Sequence, residues 1–272
     1  MKFAICNELF DPQPLEQTLA QIASIGYQGV ELAPFTLASE PGRLSPQRRR
    51  DIRQAIEREG LELIGLHWLL AQTEGLHLTT ADNATRQRTM KYLRELGELC
   101  HDLGGGLMVL GSPTARSLDP GCDYQTGLDR AVDLLQQLAP TLEKLNVRLA
   151  IEPLGPEETN FINTAAEGIE LAKSVGSSHV QLHLDVKAMA TESIPIPQII
   201  RDSRQWLVHF HANDPNRRGP GTGSVDFAPI VVALKEIEYA GWVSVEVFDF
   251  SEGATEIAES AFDFLCQVWG RQ

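Results

Sequence analysis

The sequence predicts an α/β protein, a (β/α)8 barrel, on three observations. Short apolar runs alternate with stretches of helical periodicity along the chain, the long connections follow the apolar runs, and the strand and helix pairs number eight. Eight pairs in 272 residues average about 34 residues each, close to one βαβ unit, and about 250 residues suffice for such a barrel. An open, doubly wound sheet is the alternative the same rhythm allows. Residues 1–272 are read as one barrel domain, since no repeat, linker or low-complexity segment interrupts the count.

Taken in order, Phe3 to Asn7 reads as a strand, and Leu15 to Ile25 repeats apolar residues at helical spacing until Gly26 stops it. Gly29 to Leu32 is a strand again, and Ser45 to Glu59 a helix with a serine cap and Pro46 in its first turn. Strand Leu61 to His67, helix Asn83 to Leu103, strand Leu107 to Leu110 and helix Tyr124 to Leu145 follow. The second half predicts strand Val147 to Glu152, helix Thr164 to Val175, strand Val180 to Asp185 and helix Pro197 to Ser203. Strand Leu207 to His211, helix Phe227 to Tyr239, strand Val243 to Val247 and helix Ala254 to Trp269 complete it. The connections Ala33 to Leu44, Trp68 to Asp82, Gly111 to Asp123 and Pro153 to Asn163 all follow strands. A barrel gathers such loops on the face where its chemistry sits.

Composition narrows the partners. A net charge of -14 and a pI near 4.9 oppose approach to a nucleic-acid backbone or an anionic membrane, so neither is expected as a partner. A small polar substrate suits the charge better. No apolar run of about 18 residues could span a bilayer, and the start MKFAICNELF lacks the plan of a signal peptide, so a soluble, cytoplasmic protein is expected. Cys6, Cys100, Cys122 and Cys266 lie far apart with no CxxC pair, which predicts reduced, structural thiols. Arg48, Arg49 and Arg50 share a helix with Asp51 and Glu57 and read as a solvated face. Gly219 to Gly223 lacks the Gly-Lys-Ser ending of a phosphate cradle and reads as a turn, and Gly104 to Gly106 as a connection.

Strand side chains alternate between faces. Val147, Leu149 and Ile151 should face the helices, which leaves Arg148, Ala150 and Glu152 pointing inward. The sixth strand likewise turns Gln181, His183 and Asp185 inward, the seventh His209 and His211 against outward Val208 and Phe210, and the eighth Ser244 and Glu246. Four successive strands thus end in Glu, Asp, His and Glu on one inner face. Three carboxylates converging in a core repel one another unless protonated or held by a cation, and one divalent metal ion resolves the conflict. The sulfur-free set suits Mn²⁺, Mg²⁺ or Co²⁺, with Zn²⁺ as an option, and ligand type alone does not choose among them. His209 and His183, one layer deeper, are expected to orient these groups rather than bind the ion. Strand ends also place Glu31 and His67 toward the pocket, and Gly111-Ser112-Pro113 with Arg116 could offer an Arg fork to a substrate anion.

These residues carry a resemblance. Glu152-Pro-Leu, Asn163-Thr-Ala-Ala-Glu-Gly, Leu184-Asp185, His211 followed by Asn216-Arg217-Arg218 and Pro220-Gly-Thr-Gly, and Glu246 resemble the ketose 3-epimerases of the D-tagatose and D-psicose type. Those enzymes fall in the sugar phosphate isomerase/epimerase group of xylose-isomerase-like barrels. The match is strong over residues 147 to 250 and general before them. It implies that Glu152, Asp185, His211 and Glu246 hold one Mn²⁺-like ion, that Glu152 and Glu246 move the substrate proton, and that Glu158 and Arg217 contact sugar hydroxyls. Homo-oligomers are usual for such barrels. Where the family reads Asp-Thr-Phe-His-Met, this chain has Asp185-Val-Lys-Ala-Met189, so Ala188 replaces a substrate-contacting histidine and Lys187 becomes a candidate contact.

The expected activity is therefore a metal-dependent isomerase or epimerase working on a ketose or keto-sugar through a cis-enediolate, with the two glutamates as acid and base. Lys187 motivates the alternative of a lyase or dehydratase on a keto-sugar or keto-inositol. An endonuclease-IV-like phosphodiesterase would need a basic surface, which the net charge of -14 opposes.

Overall fold

In the computed structural model, which describes residues 1–270, eight parallel strands close into one barrel in the order β1 to β8. The strands are β1 Lys2–Cys6, β2 Gly29–Leu32, β3 Glu62–Leu66, β4 Leu107–Leu110, β5 Arg148–Ile151, β6 Val180–Asp185, β7 Leu207–Ala212 and β8 Trp242–Val245. Pairing of β1 with β8, Lys2 opposite Trp242 through Ile5 opposite Val245, excludes the open sheet. Helices α1 Leu15–Ile25, α2 Pro46–Arg58, α3 Asn83–Leu103, α4 Tyr124–Leu145 and α5 Ala165–Val175 precede a four-residue turn of helix, α6 Val186–Met189. Then come α7 Ile196–Asp202, α8 Phe227–Glu236 and α9 Ala254–Trp269. None of these helices is long and apolar enough to cross a membrane.

Boundaries follow the caps. Ser45 accepts from the Arg48 amide and so stands outside α2, and Thr164 and Glu167 form a capping box that starts α5 at Ala165. The sequence did not predict α6. Its cap is Asp185, whose Oδ1 accepts from the Ala188 amide at 2.8 Å, so a proposed ligand also starts a helix. The prediction for Val208 is corrected. A register shift pairs Leu182 with Leu207 and His183 with His209, leaving Val208 as the extra residue of a bulge. Val208 consequently packs inward, against the barrel floor.

That floor is apolar: Ala4, Ile64, Leu107, Val109 and Ala150 form a separate buried cluster, with Val208 and Trp242 against it. Gly65 has no room for a side chain, since a Cβ there would overlap the Leu107 carbonyl. Above the floor the interior turns polar. Glu31, His183, His209, His211, Ser244, Asp185, Glu152 and Glu246 are all buried there, while the outward strand residues join the main core beneath the helices.

Candidate active site

Glu152 follows β5, and its buried carboxylate sits over Gly111, where a Cβ would overlap it. Burial first, then Glu246 and Asp185, hold the Glu152 carboxyl well above the ordinary carboxylate range. Asp185 ends β6, and its Oδ2 accepts from Asn213 Nδ2 at 2.5 Å. Burial and then Glu246 raise it too, although Lys187 pulls the other way. His211 lies near the end of β7 with Nδ1 3.1 Å from Glu246 Oε2 and Nε2 3.2 Å from Glu31 Oε1. Burial works to lower its pKa, but Glu246 and Glu31 outweigh it and hold the imidazole well above its usual value. Glu31 shows the converse: burial would raise it, and His209 and His211 bring it well below the carboxylate range.

Glu31 links two histidines. Its Oε1 lies 2.7 Å from His209 Nε2, so the inward pair of β7 is steered by a carboxylate from the far side of the barrel. His183 differs, since neither ring nitrogen has a hydrogen-bond partner and Nε2 is 3.8 Å from Glu152. Burial, reinforced by His211 and His209, keeps it neutral, well below the usual histidine value. A neutral, unpartnered imidazole in a polar core is a ready metal donor.

The geometry groups Glu152, His183, Asp185 and His211, each able to bring one donor atom within 4.8 Å of the others. Three of the four expected ligands are thus joined by His183, expected only to support them. Glu246 stands on the other side of His211. Its Oε1 accepts from the Trp68 indole at 2.7 Å, a contact that sequence reasoning missed, although Trp68 directly follows a strand end. Trp68 has a φ of 49° and stacks on Phe248 with centroids 5.9 Å apart. If this donor holds the Glu246 carboxylate in place, Trp68→Phe keeps the stack, loses the hydrogen bond and lowers kcat about tenfold, at about 1.5 kcal/mol for a charged hydrogen bond. A variant with unchanged kcat and an unchanged pH profile would remove Trp68 from that role.

Lys187 is 7% exposed. Its Nζ is 2.6 Å from Glu158 Oε2 and 4.8 Å above the Phe248 ring. Arg217 is exposed, adopts a φ of 71° and accepts from the Phe248 and Asp249 amides through its carbonyl. With Lys187, Glu157 and Glu158 it lines a side cavity of about 210 Å³. Two expectations change. Arg116 is buried and donates to the carbonyls of Glu152 at 2.6 Å and Ile162 at 3.2 Å, so it ties the β4 and β5 loops together rather than reaching a substrate. His67 is also buried, with Nε2 2.6 Å from Glu8 Oε2, and does not line the main cavity.

Both glutamates do line that cavity, about 330 Å³ at the C-terminal face, together with Trp68, Leu154, Glu158 and Phe248. A larger opening of about 580 Å³ lies at the opposite end of the barrel, bordered by Arg53, His101, Arg148 and Trp242. Glu152 and Glu246 line the first, on the face where this architecture places chemistry.

Known proteins agree with the fold. The D-psicose 3-epimerase of Agrobacterium fabrum is 29% identical over 238 residues, 85% of this chain and 78% of that protein. The 3-dehydro-D-guloside 4-epimerase of Escherichia coli is 25% identical over 256 residues, 90% of this chain and 92% of the relative. The crystal structure of D-psicose 3-epimerase with D-tagatose from Clostridium cellulolyticum H10 superposes with a TM-score of 0.89 at 23% identity, covering 99% of both chains. Those relatives are epimerases, the isomerase class expected of this chain. The family described as Xylose isomerase-like TIM barrel matches residues 19–268, and the chain belongs to it.

Proposed function

We propose that this chain is a divalent-metal-dependent epimerase of an uncharged ketose or keto-sugar. The observation that carries this reading is that Glu152 and Glu246 line one cavity from the ends of β5 and β8, with two strands between them, beside a cluster of nitrogen and oxygen donors. Two carboxylates at one cavity can take a proton from one face of a substrate carbon and return it to the other. The relatives that epimerise keto-sugars support this.

The donors fit a divalent ion. Glu152, Asp185, His211 and Glu246 would hold it, with His183 within reach, and three of the five are carboxylates that otherwise repel. Mn²⁺ is the first choice for so oxygen-rich a set. A bound dication supplies positive charge for the developing enediolate oxygens. The chain's own groups do the rest. Glu246, paired with His211 and held low despite its burial, is ionised and poised as the base. Glu152 is the second carboxylate lining the cavity and is assigned the complementary proton transfer. Glu31 orients His211, Asn213 and the Ala188 amide fix Asp185, and Trp68 steadies Glu246.

No lysine or arginine lines the main cavity among the described residues, Lys187 being engaged by Glu158 and Arg116 by carbonyls. That favours a substrate without phosphate or carboxylate. The Lys187–Glu158 pair also argues against Lys187 as the proton donor to a leaving group that a lyase would need. Mn²⁺-loaded protein incubated in D₂O with a panel of keto-sugars should yield an epimer carrying deuterium at the inverted carbon, read by NMR. Absence of C–H exchange across the panel would defeat the proposal, and loss of water or an aglycone would establish the lyase instead.

A further inference from the structure

Beside the proposed site lies a second group of donors, of which only Glu246 has a role in the reaction above. Cys6 ends β1, Glu8 follows it, His67 follows β3 and Glu246 follows β8. All four are buried, and each can bring one donor atom within 4.8 Å of the other three. Glu8 and His67 meet at 2.6 Å through Oε2 and Nε2. The Glu8 Oε1 and His67 Nδ1 atoms have no hydrogen-bond partner, although Glu8 is only 3% exposed and His67 is fully buried. Buried polar atoms normally find partners, and leaving one without is costly. Two such atoms on adjoining residues, next to a thiol, mark a place built to receive something.

The chemistry of the donors says what. A thiol, an imidazole and two carboxylates arranged around one point match the ligand types of a tetrahedral zinc site. The sulfur separates this group from the proposed catalytic set, whose donors are oxygen and nitrogen alone and suit harder ions. Chain order strengthens the case: Cys6 and Glu8 come from β1 and its end, Glu246 from the end of β8, which pairs with β1 on closure of the barrel, and His67 from the end of β3, with β2 between β1 and β3. A separation of 59 residues between His67 and Glu8 makes the grouping a product of the fold, not of a local motif.

We infer that Cys6, Glu8, His67 and Glu246 form a second cation site, taking a borderline, sulfur-accepting dication such as Zn²⁺ or Co²⁺. Glu246 is common to both sites, through a carboxylate that already meets Trp68 with one oxygen and His211 with the other. Filling the second site therefore acts on the carboxylate assigned as base, a consequence that rests on the proposed function. The existence of the site does not.

Metal counting tests it. Full-length protein saturated with Zn²⁺, dialysed and analysed for metal is expected to hold two ions per chain. Glu8→Gln and His67→Gln should each reduce this to one, whereas Asp185→Asn should leave the second site filled. Co²⁺-loaded wild-type protein should show the near-ultraviolet thiolate-to-cobalt absorption of a cysteine ligand, absent in Cys6→Ser. One ion per chain at saturation with no such absorption overturns the inference, as do two ions that persist in Glu8→Gln and His67→Gln. The cobalt spectrum needs no variant to fold, and no part of the test uses turnover, so failure of the epimerase proposal would leave the result readable.

Discussion

Glu246→Gln and Glu152→Gln are each expected to lower turnover by about 10²–10⁴-fold, the usual worth of a positioned acid or base. Glutamine preserves volume and leaves the cavity lining in place. The two losses should differ in kind. The reaction runs in both directions, so each glutamate is base for one epimer and acid for the other. In D₂O, a variant lacking one carboxylate should still exchange the substrate proton on the face served by the other, with little net inversion. Glu246→Gln carries an added penalty. Its carboxylate accepts from Trp68 through Oε1 and meets His211 through Oε2, and glutamine puts an acceptor oxygen at only one of those two positions, an NH₂ donor at the other. Metal affinity should therefore fall in both variants, and more widely for Glu246→Gln. If both retain turnover within tenfold of wild type, the two-glutamate assignment fails.

Removing the metal should have the second large effect. Chelator-treated protein is expected to lose activity and to regain it with Mn²⁺. An ion present at one hundred times its Kd adds about 2.7 kcal/mol of stability, which for a chain of this size raises Tm on the order of 5–10 °C. The pH dependence has a definite sign. Burial with neighbouring carboxylates raises Glu152 and Asp185, and Glu246 and Glu31 outweigh burial to raise His211. Each must lose its proton to bind a cation, so uptake releases protons and affinity rises with pH. A group whose folded pKa is raised contributes stability that is present below its unfolded pKa and is lost as pH rises through the folded value. The stripped protein should thus weaken as pH rises, and the Tm gap between loaded and stripped forms should widen from about pH 5 to about pH 8. Glu31 and Glu246 are shifted the other way and act in the opposite sense only toward acid, below the ordinary carboxylate value. Mn²⁺ titration calorimetry in two buffers of different ionisation enthalpy reads the proton count directly. Affinity without pH dependence would overturn this account.

Much of this was legible in the chain alone. Eight alternating strand and helix pairs announced the barrel, and a two-residue period placed Glu152, Asp185 and His211 inward at the strand ends, because side-chain alternation is a local property of any strand. The same period misplaced Val208, since a bulge adds a residue without a sequence mark. Strand-end position drew His67 toward substrate, and the loop after the fourth strand drew Arg116, where the fold gives them buried partners, Glu8 for one and backbone carbonyls for the other. Likewise, nothing in the order of residues tied Lys187 to Glu158, or Trp68 to Glu246.

The sequence by itself determined the barrel, its catalytic face and the residue types available at the strand ends. Tertiary structure decided who meets whom: Glu31 between two histidines, His183 grouped with Glu152, Asp185 and His211, and Cys6 with Glu8 beside His67. The physical reason is closure. Alternation along a strand needs only that strand's own backbone, whereas contacts across the barrel depend on the pairing of β1 with β8, on bulges and on the loop conformations that carry Trp68 and Lys187.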